Sequence, residues 1–404
     1  MAIAAGVNKS VRIKKEATFG TAPGATGAAL LRRVTSQIDL VKDTYESQEI
    51  VSTFQRSDFR HGTRRVEGSI DGELSPGTYQ LLMAAAMRKD FAAGATTGAI
   101  ITVAAAAGPP GTFTRSSGSF LTDGFKVGDI VRWTGWATTG AGNNARNYRI
   151  TALDATVMTV PGLLDEVVAV KAAGDSVTCT VVGKKSFTPT TGHTNDSFSI
   201  EHWYSDVTLS ELFRGCRVRS VGLRLPASGL SLVSFGLLGQ DITNAASAYY
   251  TSPTAAPTTG IAAAVNGALR FGGADIATVT GLEINYDGGM TTEPVVGANT
   301  SPDVFPGIVA ISGQVTALFE NATLRDLFIN ETEAELWAYL RLSTAINSDF
   351  LSFHLPRIKV GGASKSDGPQ GLVQTLPFTA LYNSAGGTGL AGEATTMTVQ
   401  DSTL

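Results

Sequence analysis

The sequence predicts a mainly β chain of α+β type: two tandem β-sandwich or barrel modules, each carrying one helix, plus a small inserted β domain. Three observations predict it. Residues 66–74 (VEGSIDGEL) and 311–319 (ISGQVTALF) share one pattern, with Val66 falling on Ile311, Gly68 on Gly313, Ile70 on Val315 and Leu74 on Phe319. Each therefore reads as a strand with one apolar face at period two. Both strands run straight into a helix signal: Ser75 and Pro76 suit an N-cap and first turn, and Asn321 precedes Leu324, Leu327 and Phe328 on one helical face. Finally, 45 glycines in 404 residues and only 16% charged residues suit β structure with many turns better than a helical bundle.

A hydrophobic content of 43% and a mean hydropathy of +0.10 are enough to fill the cores of two or three domains. Residues 1–32 form a small-residue arm with one strand-like piece at 10–14, able to dock on a neighbour or on the chain's own surface. The first module covers 33–92 and 186–242. It opens with a strand near 36–41, followed by a long polar link at 42–65, the repeated strand, and a helix ending near Lys89. Residues 93–185 have no counterpart in the second copy. Their short strands near 128–133, 147–151, 156–160 and 176–182 predict a small barrel or sandwich inserted in a loop and lying outside whatever the modules build. A linker at 243–268 leads to the second module at 269–390, where a strand near 280–286 and another long link at 287–307 repeat the first arrangement. Residues 391–404 read as a tail. Loops of about 20 residues at the same place in both copies exceed most connections in compact domains, which points to contacts with a neighbour.

Chemistry is sparse. His61, His193, His202 and His354 make no metal-binding pair, and no phosphate-cradling glycine loop or nucleophile elbow is present, so neither an enzyme nor a cofactor is expected. Cys179 and Cys216 read as buried thiols. No run approaches the ~18 apolar residues of a membrane span, and the basic residues follow the apolar start, the reverse of a signal peptide. A net charge of −4 argues against holding nucleic acid by neutralising phosphates. Arg56, Arg60, Arg64 and Arg65 in the first long link read as a solvated loop or subunit contact rather than a DNA patch. The polar side of the repeated strand carries Glu67, Asp71 and Glu73, either a solvent face or an acidic lining. Trp133, Trp136 and Tyr148 are the aromatics that a sugar-binding surface on the insert would use, although filling the core is the stronger reading for the tryptophans.

On 15–23 (KEATFGTAP), 66–70 (VEGSI), 213–218 (FRGCRV), 234–239 (SFGLLG), the segment 304–333 from VFPG through FINETE, and 376–382 (LPFTALY), the chain resembles the tail tube proteins of long-tailed bacteriophages with non-contractile tails. The resemblance covers both copies but not the insert. It implies modules of two β-sheets and a helix that close into rings, stacked as a hollow tube through which double-stranded DNA passes transiently. It also implies a place in the virion tail after assembly in the host cytoplasm, with tape measure, terminator and distal tail proteins as partners. Rings of this kind usually hold six modules, so two per chain imply a trimeric, pseudo-sixfold ring, with a hexamer of chains as the alternative. Under the resemblance Glu67, Asp71 and Glu73 become candidates for the lumen wall, where an acidic surface repels phosphates. Arg56, Arg60, Arg64, Arg65 and Phe305 become candidates for contacts between rings. The competing readings are a tail terminator or baseplate ring of the same fold, and a β-modular adhesion protein that binds glycans through the insert.

Overall fold

The computed structural model describes residues 3–162, 166–367, 369 and 371–404. With two-residue strands left unnumbered, β1 (Lys9–Lys15), β2 (Thr35–Glu46) and β3 (Phe59–Glu73) lead into α1 (Gln80–Met87). The insert supplies β4 (Val103–Ala106), β5 (Gly111–Arg115), β6 (Ile130–Thr134), β7 (Val157–Val160) and β8 (Thr178–Val181). The chain then returns through β9 (Lys184–Phe187), β10 (Phe198–Tyr204), β11 (Leu209–Pro226), β12 (Leu232–Gly239) and β13 (Asp241–Ala245). Beyond it come β14 (Gly267–Phe271), β15 (Val279–Asp287), β16 (Ala310–Leu318), α2 (Thr323–Ile329), β17 (Ala334–Arg341), β18 (Phe350–Val360), β19 (Val373–Ala380) and β20 (Thr398–Asp401). The architecture is mainly β, with one large antiparallel sheet, smaller sheets and few short helices.

Period-two patterning fixes the register of the large sheet. Ser36, Ile70, Phe235 and Val221 lie opposite one another across β2-β3-β12-β11, and Tyr286, Ile311 and Ala380 continue the row across β15-β16-β19. One face of the sheet is thereby largely apolar, with Ser36 as a polar exception, and a slip of one residue would turn it to water. β11 joins the two strand sets antiparallel to β15, with Leu223 opposite Ile284. The strand order is β2-β3-β12-β11 on one side of that joint and β15-β16-β19-β18 on the other. The two glycines matched in the sequence have one physical reason. A Cβ on Gly68 would stand 2.0 Å from the Gln37 carbonyl oxygen, and one on Gly313 would stand 2.1 Å from that of Glu283, so only glycine lets either pair of strands approach.

Over the apolar face, α1 buries Leu82, Met83 and Met87, while Tyr79 stacks on Phe235 with ring centroids 5.4 Å apart. The helix ends where Arg88 turns left-handed at φ 57°. Behind it, β10 pairs with β1 and with the start of β11, and β17 pairs with β14 and with the start of β18. A separate core inside the insert is built from Phe113, Phe120, Trp133, Trp136 and Tyr148.

Several expectations need correcting. The 42–65 link is mostly ladder, since β2 runs to Glu46 and β3 starts at Phe59, leaving a tip of residues 47–58. The 287–307 link holds a small hairpin, with Thr291 opposite Phe305. Ser75 does not cap α1, which starts five residues later; its hydroxyl meets Thr259 at 2.8 Å and accepts from Arg32. Asn321 does supply a cap-like bond, accepting from the Thr323 N–H at 2.9 Å. Residues read as a tail form β20, which pairs with both β18 and β9.

Candidate functional site

Side chains alternate across the large sheet, so the face opposite the core can be read from the same ladders. Asp39, Glu67, Asp71 and Glu73 project there from β2 and β3, and Glu283 and Asp287 from β15. Arg65, Arg224 and Lys359 stand among them. Asp43 and Arg219 stand on the same face beside Arg65 and Glu67, and carboxylates outnumber cations among these residues. Arg65 bridges Glu67, and Arg224 lies 3.4 Å from Glu283. Asp71 accepts from the Thr35 and Ser234 hydroxyls. Glu67, Asp71 and Glu73 therefore share one polar sheet surface that also carries strands from the other half of the chain, a continuity the sequence did not reveal.

The basic group of the first long link divides in two. At the hairpin's outer part Arg60 meets Asp58 at 2.8 Å and remains 79% exposed, and Arg56 pairs with Glu46 at 61% exposure. At the root Arg64 bonds Asp241, and Arg65 bonds Asp43 as well as Glu67. The Arg64 N–H also donates to the Asn299 carbonyl, which ties the root of this hairpin to the second long loop. Phe305, 43% exposed, sits on that second loop. Arg64 and Arg65 thus hold the chain to itself, whereas Arg56, Arg60 and Phe305 face outward.

The insert aromatics are not a surface. Trp133 and Tyr148 are fully buried and Trp136 nearly so; Phe113 lies 4.8 Å from Trp133 and 5.1 Å from Tyr148, centroid to centroid. A domain this small closes its core with its largest side chains, so none remains for a sugar platform. The insert is also fastened to the second half. Arg149 is held between Glu166 at 2.9 Å and Asp275 at 2.6 Å, and Lys185 lies 3.5 Å from Glu393. Gln400 of β20 exchanges hydrogen bonds with the backbone of Ile130 and donates to the Val182 carbonyl.

Among the described residues no group of three or more His, Cys, Asp or Glu side chains is placed to hold a metal ion. His202 is buried, and burial followed by the nearby Lys9 and Arg33 charges lowers its pKa to about 3, so it stays neutral. The Ser36 hydroxyl bonds its Nε2 at 2.8 Å, a packing role rather than a catalytic one.

Two surface features were not read from the sequence. First, the large sheet has free edges: among the described residues β2 pairs only with β3, and residues 359–365 pair only with β19. An unpaired edge is a template for a further strand. Second, the tip of the β2–β3 hairpin holds out Ile50 and Phe54, 102% and 98% exposed. Ile50, Val51 and Phe54 inside a polar link were the available signal for the tip, and nothing local marks an edge.

The model of the family described as phage tail tube protein matches residues 6–380. No curated protein matches the chain.

Proposed function

The chain belongs to the phage tail tube protein family, and from that membership we propose that three copies close into a pseudo-sixfold ring whose stacking builds the tube of a non-contractile tail. The protein is a structural component of the virion's tail, not an enzyme, and it forms the tail tube by self-assembly. The rest of this reading concerns how.

The observation that carries it is the strand order. β2-β3-β12-β11 and β15-β16-β19-β18 run the same course, and β11 joins β15 edge to edge. The free edges at β2 and 359–365 are the counterparts of the two strands already joined. Repeating the internal joint between chains leaves neither of these two edges unpaired, and the head-to-tail contact closes by rotation. Two modules per chain then need three chains for six modules; a hexamer of chains is the alternative. In this arrangement the acidic sheet face lines the bore. Glu67, Asp71 and Glu73 on that wall repel DNA phosphates, so the genome slides without adhering. Tape measure, terminator and distal tail proteins are the partners at the bore and the ends.

The ladders set the register of the joint. Asp71 faces Ser234, which faces Gly222; the matching row in the second half runs from Thr316 through Thr375 to Ser364. Asp39 faces Glu67 as Asn285 faces Ser312. Gly222 pairs with Asn285 inside the chain, so Ser364 is expected to pair with Asp39 of the next copy. Directly opposed residues bring their Cβ atoms to about 4.5 Å at the closest, the upper end of what a disulfide spans. Oxidising the Asp39→Cys, Ser364→Cys double variant is expected to give covalent species that end at a closed trimer on a non-reducing gel. Species that stop at six chains would select the hexamer, and an uncrosslinked chain in assembled tubes would refute the edge joint.

A further inference from the structure

The two halves differ at one matched position, and the difference is a cavity. In the first half Lys9 donates to the Ser36 carbonyl at 2.7 Å, and the Ser36 hydroxyl meets buried His202. The ladders match β1 to β14 and β10 to β17: Phe198 opposite Cys216 corresponds to Ala334 opposite Ile358, which places His202 on Ala338. Val11 faces His202 as Leu269 faces Ala338, which places Lys9 on Gly267. Ser36 likewise falls on Leu282. Where the first half has lysine, histidine and serine, the second has glycine, alanine and leucine. Removing two long side chains leaves a cavity of about 570 Å³ whose wall is mostly apolar, with Leu225, Pro226, Val265, Ile276, Val279 and Ala338, and carries the Arg149–Glu166–Asp275 ion pairs and Arg341 as its charged part. It opens at the end of the sheet where β3 finishes and β15 begins.

The opposite end of the same sheet carries an apolar projection. β3 leaves its ladder with β12 at Val66, while the hairpin continues to its tip at residues 47–58. Fifteen residues of β3 span about 45 Å, so tip and cavity lie at the two extremes of one strand direction. The tip is braced: Ser57 Oγ donates to Glu49 at 3.1 Å and lies within hydrogen-bond distance of Ser47 Oγ, 3.0 Å, and Arg56 pairs with Glu46. That bracing holds Phe54 in the left-handed region at φ 57°, costly for a bulky side chain, with its ring wholly in solvent. An isolated chain gains nothing from holding Ile50 and Phe54 in water.

We infer that the hairpin tip of one copy seats Ile50 and Phe54 in this cavity of a second copy stacked beyond it. The inference rests on the ring-and-stack reading above and supplies the receiving site that reading lacks. A projection at one end and a recess at the other make a heterologous contact that does not close on itself, the requirement for a growing tube. The cavity is large enough for both side chains, within the 300–1,000 Å³ range of sites that enclose small organic groups. Its small residues at Gly267 and Ala338 are what make the room.

The test uses Phe54→Cys with Val265→Cys, since Val265 is 83% exposed at the cavity rim and the native Cys179 and Cys216 are buried. Oxidised tubes are expected to yield a ladder of covalent oligomers that continues past the closed trimer. If this pair stays monomeric while Asp39→Cys with Ser364→Cys closes rings, the seat is wrong and the ring stands. If only the Phe54/Val265 pair crosslinks, the seat stands and the ring register falls; if neither does in assembled tubes, both fall. A second variant, Ile50→Asp with Phe54→Asp, changes only exposed residues and so leaves folding intact. It is expected to raise the concentration needed for tube growth about tenfold or more while rings still form, and normal tube growth would overturn the inference.

Discussion

α1 and α2 occupy the same place in the two halves and are treated in opposite ways. α1 is enclosed: β9 packs on it, Ser186 bonds the Lys89 carbonyl at 2.7 Å, and Asp401 of the C-terminal strand accepts from the Gly77 N–H at 2.7 Å. α2 buries no residue completely. At the positions where α1 has Met83 and Ala84, 5% and 6% exposed, α2 has Phe328 and Ile329 at 41% and 60%. The same asymmetry recurs at the Lys9–Ser36–His202 cluster, filled in the first half and hollow in the second. Strand order is common to the halves, but the chain completes only the first with its own return strands and C-terminus. Packing that is complete within one copy serves stability. Packing left incomplete in a self-assembling protein is where assembly has room to act.

The largest effect that would sharpen this contrast lies in the helices. Leu82→Ala removes a fully buried side chain from the main core and is expected to cost about 2–5 kcal/mol. Leu327→Ala, at the matched but half-covered position, is expected to cost about 1 kcal/mol. Denaturant unfolding of both variants under non-assembling conditions decides it. Equal losses would mean that α2 is as well supported as α1 and would break the comparison.

A smaller effect separates the filled position from the hollow one by pH. His202 is buried beside Lys9 and Arg33, with Glu211 3.9 Å from its ring, and its pKa is lowered from 6.5 to about 3 by burial and then by those two cations. Its folded pKa lies below the unfolded one, so the unfolded chain binds the extra proton. The stability His202 contributes is complete above pH 6.5 and falls as pH drops toward 3, by at most about 1.4 kcal/mol per pH unit. His202→Gln keeps a partner for Ser36 and removes the titration. Its stability between pH 7 and 4 should fall less steeply than wild type by about that slope. Parallel curves would show that protonating His202 does not strain the filled site. Ala338 at the matched position has nothing to titrate.

What could be read from the sequence follows from where the physical signal lies. The strands at 66–74 and 311–319 were legible because one face is core and the other polar, and the shared glycines marked the close approach of neighbouring strands. The β2–β3 arm was missed as a ladder because beyond Val66 it leaves the body of the sheet. Residues such as Lys42, Asp43, Arg64 and Arg65 are polar on both faces and leave no period-two pattern. Ser75 had the right type for a cap, but the chain uses its hydroxyl to hold the 243–268 segment through Thr259. Glu67, Asp71 and Glu73 could be placed on one side of one strand. That Glu283 and Asp287 continue the surface depends on a joint between strands some sixty residues apart. The same holds for Arg149 and Asp275, whose pairing fastens the insert. Alternation along a segment is local information; a sheet edge or a cavity is a property of register, which no single segment carries.

The smallest expected effect on stability gives the most specific test of why the second half is hollow. Ala338 is 2% exposed and lines the cavity, at the position where the first half places His202. Ala338→Leu adds three carbons facing existing free volume, so the isolated chain should keep its stability within about 1 kcal/mol. If the hollow were only a packing defect, filling it would leave assembly untouched or would help it. If the hollow receives the hairpin tip, the same change narrows the seat for Ile50 and Phe54, and tube growth should weaken while unfolding barely shifts. Measuring unfolding and tube mass on one preparation separates these outcomes. A stable chain that builds tubes as well as wild type would make the cavity a by-product of how the second half packs. A stable chain that stops at rings would make Gly267 and Ala338 functional residues through the volume they leave empty.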